Sequence, residues 1–226
     1  MTNRELILGR IREALKTVTP PPVFPKSANL PASRPGSAQT WLPPVSDTLE
    51  EQIELFRRNA EDLKAEFRTC ANPGEAIQHV KALATAGGWK KIGRHSGELT
   101  DALAEELHLA EVRTDNGYAI ADLESCDAAL TECEALVAQT GSVLVSAPSA
   151  GGRALSVLPP HHVVLARRNQ MVPDLGAALR RMQEKFKGKF PSFFSFISGP
   201  SRTGDIERIL VLGAHGPKKL TLLLLP

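Results

Sequence analysis

The chain has 226 residues, 42% of them hydrophobic and 23% charged, with 27 Lys and Arg against 25 Asp and Glu. That length suits one generous domain or a domain with an appendage, and the composition is that of a packed core rather than a disordered chain. A net charge of +2 excludes the domain-wide basic footprint that nucleic-acid binding needs.

Charge is unevenly placed. Residues 167–189 hold Arg167, Arg168, Arg180, Arg181, Lys185, Lys187 and Lys189 against Asp174 and Glu184, whereas residues 98–111 hold five acids and no Lys or Arg. Solvated helix faces account for both runs; a docking surface for a partner protein is the sharper reading. Three cysteines, Cys70, Cys126 and Cys133, form no C-x-x-C pair, which argues against a disulfide framework, a zinc site or an iron–sulfur cluster held by this chain alone. A reducing, cytoplasmic setting fits.

In chain order, Ile7, Ile11 and Leu15 lie four apart and predict a first helix; Glu5 and Glu13 interrupt it, so it does not read as a secretory leader. From Thr19 to Pro44 the chain holds eight of its seventeen prolines, which predicts an extended arm. A free tether and an arm wrapped on a neighbour in a homo-oligomer both fit. Residues 1–45 are therefore set apart from a domain at 46–226.

Leu49, Ile53, Phe56, Ala60, Leu63 and Phe67 then step by four and three, the strongest helical periodicity in the chain. Asn72-Pro73-Gly74-Glu75 opens another helix, which Gly87-Gly88 closes. A strand near Lys90–Ile92, an acidic helix over Glu98–His108 and a strand over Leu109–Arg113 follow. Asp127–Leu130, Val143–Ser146, Ala154–Leu158 and His162–Ala166 read as short strands. Pro173-Asp174 starts a helix with Leu175, Leu179, Met182 and Phe186 on one stripe. Ser192–Ile197 and Lys219–Leu225 read as strands flanking a short helix over Asp205–Leu212. The closing leucine run is too short to span a bilayer. This alternation predicts an α/β three-layer sandwich with a mixed sheet.

Three turns carry the candidate chemistry. Ser198-Gly199-Pro200-Ser201-Arg202-Thr203 falls between a predicted strand and a predicted helix, where open α/β folds bind ligands. Gly199 permits close approach, Ser201 and Thr203 offer hydroxyls, and Arg202 offers a planar fork for an anion, with Asp205 able to orient it. An ordinary capped turn would look the same. Thr140-Gly141-Ser142 and Ser149-Ala150-Gly151-Gly152-Arg153 flank the strand 143–146 and are similar in kind. Gly141, Ser142, Arg153, Ser198, Ser201, Arg202 and Thr203 are expected to converge on one anion-sized pocket at the C-terminal edge of the sheet. His161 and His215 join the candidate set. His161 and His162 are adjacent, so in a regular strand they face opposite ways. No recognised spacing supports a metal site.

The blocks Gln139-Thr140-Gly141-Ser142-Val143-Leu144-Val145, Gly152-Arg153-x-x-Ser156-x-Leu158-Pro159-Pro160-His161-His162-Val163, Ser198 through Glu207, and Gly213-Ala214-His215-Gly216-Pro217 together resemble the lactate-utilisation C family, whose domain is called LUD. The resemblance runs from about residue 45 to the end. It implies a fold like that of the sugar-phosphate isomerases and CoA-transferases. It also implies membership of a system that oxidises L-lactate to pyruvate with iron–sulfur partner proteins, the clusters lying in those partners. Many LUD domains carry Glu before the Thr-Gly turn and Asn before the Arg; here Gln139 and Gly152 stand there. An amide at 139 cannot exchange a proton near neutral pH. An independent enzyme or binding protein for a phosphorylated or CoA-type ligand is the alternative that the fold analogy offers.

Overall fold

The computed structural model describes residues 3–16, 44–115, 117–204, 210–213 and 215–226. The N-terminal unit contributes α1 (Asn3–Lys16), the expected first helix. Apart from Pro44, the expected proline-rich arm lies outside the described residues.

The second unit begins with α2 (Leu49–Asp62), β1 (Glu66–Thr69), α3 (Pro73–Gly87), β2 (Lys91–Arg94), α4 (Glu98–Leu107), β3 (Ala110–Arg113), α5 (Ile120–Glu124) and β4 (Ala128–Glu132). It continues with β5 (Ala135–Val137), β6 (Ser142–Ser146), α6 (Ala147–Ala150), β7 (His161–Arg167), β8 (Met171–Val172), α7 (Leu175–Phe186), β9 (Phe194–Ile197), β10 (Arg202–Gly204), β11 (Leu210–Leu212) and β12 (Lys219–Leu225).

Six strands, in the order β1-β12-β7-β4-β2-β3, form a sheet that is parallel throughout. Its central strands are buried on both sides, which is why β7 and β12 read as continuous apolar runs. On one face α3 and α4 pack Val80, Leu103 and Ala104 against Leu130, Val163, Leu165 and Leu223. On the other, Phe56 and Ala60 of α2, with Val143 and Val145 of β6, cover Val164, Leu222 and Leu224. A second sheet, β8-β5-β6-β9, contains the antiparallel pairs β5–β6 and β6–β9, and α7 closes its far side through Ala178 and Met182. The three-layer α/β sandwich is thus present; the six-stranded sheet is wholly parallel, and the mixed pairing lies in the second sheet, where β5 pairs with β8 in parallel and with β6 in antiparallel.

Local chemistry explains the boundaries. Asn72 accepts the Glu75 N–H at 3.0 Å and Gly88 takes φ 62°, so α3 is capped at both ends as its sequence predicts. Helix α4 starts at Gly97, which has no capping side chain; Glu132, from the end of β4, accepts the Leu99 N–H at 2.9 Å instead. Asp174 caps α7 by accepting the Ala177 N–H at 2.7 Å.

Four expectations need correction. The helical stripe does not run to Phe67: α2 ends in a left-handed turn at Lys64 (φ 68°), where the Ala65 N–H bonds to the Ala60 carbonyl. Phe67 sits in β1, yet its ring meets Phe56 at 4.9 Å, so it serves the same core from a strand and kept the helical spacing by coincidence. Residues 154–158 are a turn rather than a strand, with Ser156 Oγ donating to the Arg153 carbonyl and Pro159-Pro160 following. The stripe on α7 is buried only in part, with Leu175 and Leu179 exposed. Finally, Leu210–Leu212, expected to end a short helix, pair instead with Arg202–Gly204 as an antiparallel ribbon; the rest of that expected helix, 205–209, lies outside the described residues. The run Leu210-Val211-Leu212 favours a strand as readily as a helix turn, and it found a pairing partner.

Candidate functional site

The turn after β9 is stitched to the loop before β12. The Ser201 N–H donates to the Pro217 carbonyl at 2.9 Å, and the Gly213 N–H donates to the Ser201 carbonyl at 2.9 Å. Between them and the start of β7 lies a cleft of about 180 Å³. Its walls are Ser156, Val157, Ile197, Gly199, Pro200, Ser201, His215, Gly216, Pro217 and Leu220, and His162 forms part of its lining. Leu220 and His162 are the second residues of β12 and β7 and lie side by side in register. The cleft therefore opens at the N-terminal edge of the parallel sheet, not at the expected C-terminal edge. The reason is topological: the turn follows β9 of the second sheet, whose C-terminal end meets the opposite edge of the first.

Of the residues expected from sequence, Gly199, Ser201 and His215 line this cleft. Gly141, Ser142, Ser198 and Arg202 gather beside it, around the C-terminus of α2. Ser142 and Ser198 hydroxyls meet at 2.7 Å, and Arg202 Nη2 donates to the Leu63 carbonyl at 2.8 Å. Gly199, at φ 82°, is pressed so close that a Cβ there would stand 2.5 Å from the same carbonyl oxygen. Arg202 thus closes the end of a helix distant in sequence, a role its own turn did not announce. Thr203 lies in β10, opposite Val211. Asp205 lies outside the described residues.

Two residues are not brought in. Arg153 follows α6, past the far end of β6, and its guanidinium lies over the Phe193 ring at 5.3 Å. Ser142 and Ser146 bound β6, which puts that end roughly 13 Å from Ser142 at the rise of a strand. The expected convergence of two guanidinium groups on one anion is therefore absent. His161 faces α3 and α4: its Nε2 is 2.9 Å from Thr221 Oγ1, which donates to Glu66 at 3.0 Å, and Trp89 stands edge-on at 5.2 Å.

His162, its neighbour, faces the cleft side, although His161 was the one expected in the site. Both faces of β7 are buried, so neither histidine stood out by an apolar-polar alternation, and parity alone could not say which way each pointed. His162 is fully buried, its Nε2 lies 2.8 Å from Thr131 Oγ1, and its Nδ1 has no hydrogen-bond partner among the described residues. Burial, reinforced by the neighbouring His161, pushes its pKa down to about 3, so the ring is neutral at physiological pH. Among the described residues the cleft lining holds no Asp, Glu, Lys or Arg. The lining offers neutral donors and acceptors over an apolar wall.

The model of the LUD domain matches residues 53–225. A protein named lactate utilization protein C from Shouchella clausii is 33% identical over 106 residues, 46% of this chain and 46% of that protein. One of the same name from Halalkalibacterium halodurans is 31% identical over 121 residues, 53% of each. The chain spans about half the length of these curated relatives in the matched regions. A crystal structure of a DUF162 family protein from Deinococcus radiodurans superimposes with a TM-score of 0.61 at 21% identity, over 80% of this chain and 100% of that one, which shows a shared fold. The parallel sheet, the second sheet packed on it and the turns that meet at residues 198–217 are thus the framework of a known domain, and the chain belongs to the LUD domain family.

Proposed function

We propose that this chain serves lactate utilisation as a cytoplasmic subunit that binds a small carboxylate in the cleft between His162, the 199–201 turn and the 215–217 loop. Electron transfer is assigned to iron–sulfur partner proteins. The names of the relatives support the pathway. The cysteines support the division of labour: all three are buried, and burial pushes the Cys126 thiol up to about 11, which suits packing rather than iron ligation. The observation that carries the ligand class is the size of the cleft. At about 180 Å³ it falls below the roughly 300–1,000 Å³ of drug-sized sites, so a three-carbon acid suits it and a CoA-type ligand does not.

A thermal-shift panel on the full chain tests this, with L-lactate, pyruvate and acetate on one side and CoA and sugar phosphates on the other. A ligand at a hundred times its dissociation constant stabilises by about 2.7 kcal/mol. Stabilisation by the short acids, lost in Val157→Trp at the exposed rim, is expected. Stabilisation by CoA or sugar phosphates alone would overturn the assignment in favour of an independent binding protein. Failure of any iron–sulfur protein to co-purify from cells grown on lactate would overturn the subunit role.

A further inference from the structure

His162 presents an unusual combination: a fully buried imidazole in the lining of a cleft, with one ring nitrogen bonded and the other, among the described residues, without a partner. Buried polar atoms are nearly always paired, so an unpaired one beside a cavity points to a missing ligand or water. The Thr131 side chain tells which kind. Its hydroxyl is fully buried, and among the described residues its hydrogen bond is with His162 Nε2. A buried hydroxyl has one hydrogen to donate, and Nε2 is the acceptor at hand. The network therefore assigns the ring proton to Nδ1. What remains unpaired is an N–H donor, and it calls for an oxygen acceptor.

We propose that His162 is the ligand-contacting residue of the cleft, held by Thr131 in the tautomer that donates Nδ1–H to a carboxylate or 2-oxo oxygen of a short acid. This rests on the cleft being the binding site, and deepens that reading by naming the group and the atom. The ring is neutral, so it recognises an acceptor without supplying charge, consistent with a lining that has no fixed cation among the described residues. A ligand that satisfies a buried donor gains more than one that bonds an exposed group, because the alternative is an unmet desolvation cost. Selectivity follows. Propanol, which lacks both the carboxylate and the 2-oxo group and offers a single neutral hydroxyl as acceptor, should bind more weakly.

The test is made on the full chain with pyruvate and L-lactate as probes and propanol as the control. Side-chain nitrogen spectra of 15N-histidine-labelled protein should show His162 protonated on Nδ1 and unprotonated on Nε2 near pH 7, with the Nδ1 resonance moving on addition of pyruvate. His162→Asn keeps an N–H near the Nδ1 position and should bind within about threefold of the parent; His162→Gln moves it to the far position and should weaken binding by about tenfold or more. Protonation found on Nε2, or equal binding by His162→Gln and the parent, would overturn the role of His162 while leaving the cleft in place. Binding that survives Val157→Trp, or no binding of either acid, would overturn the cleft and His162 together. Should the Gln variant fail to fold, the spectrum of the parent protein still decides the tautomer.

Discussion

Arg202 closes the C-terminus of α2: its guanidinium donates to the Leu63 carbonyl at 2.8 Å, across 139 positions of sequence. The last carbonyls of a helix have no partner within it, and a cation there also meets the negative end of the helix dipole. The residue most suited by sequence to grip an anion is thereby engaged in holding α2 to the turn that walls the cleft.

Arg202→Ala should therefore lower stability by about 1.5–3 kcal/mol, the range for a hydrogen bond to a charged group. Urea denaturation would show a lower midpoint with an unchanged slope. Unchanged stability with weakened acid binding would mean that Arg202 serves the ligand instead.

Gly141 lies at φ 62°, and a Cβ there would stand 2.6 Å from the Ala60 backbone nitrogen. Backbone cannot step aside as a side chain can. Gly141→Ala should cost about 2 kcal/mol or more, combining left-handed strain with overpacking against α2. A melting temperature within a degree of the parent would refute this packing.

Glu134 is buried between Ser146, whose hydroxyl donates to it at 2.6 Å, and Lys185 of α7, whose Nζ lies at 2.6 Å. Lys185→Met should cost about 1.5–3 kcal/mol by leaving a buried carboxylate short of its cation. Adding Glu134→Gln should recover part of the loss, because the charge is then gone. The interaction energy from the double-mutant cycle checks the pairing; a value near zero would make the contact incidental.

Burial, before any neighbouring charge, depresses the pKa of His162 to about 3 and that of His161 to about 4, below the ordinary 6.5. Below pH 6.5 the unfolded chain binds protons that the folded chain refuses, so stability is full above that pH and falls as acid is added. The slope from His162 alone is about 1.4 kcal/mol per pH unit once well below 6.5. Chemical denaturation at pH 7.5, 6 and 5 measures it, and His162→Asn should flatten the decline. A stability that is level from pH 7.5 to 5 would mean that both rings accept protons in the folded state.

Much of the local structure was legible from residues alone. Asn72-Pro73 and Gly88 bound α3, Asp174 starts α7, and the apolar runs of β7 and β12 announce strands buried on two faces, because caps and periodicity act within a few residues. The four sequence blocks likewise pointed to the family that the match over 53–225 establishes. Tertiary structure decided what depends on distant partners. Phe67 left the helix for a strand because Lys64 turned the chain, while the same core still received its ring. Arg202 and Arg153, similar in sequence setting, went to a helix end and to the Phe193 ring at opposite ends of the β6–β9 ladder. The choice between His161 and His162 hung on which face of β7 met α2 and the second sheet. In a strand covered on both sides the residue pattern is apolar either way, and only the packing of the other elements tells one face from the other.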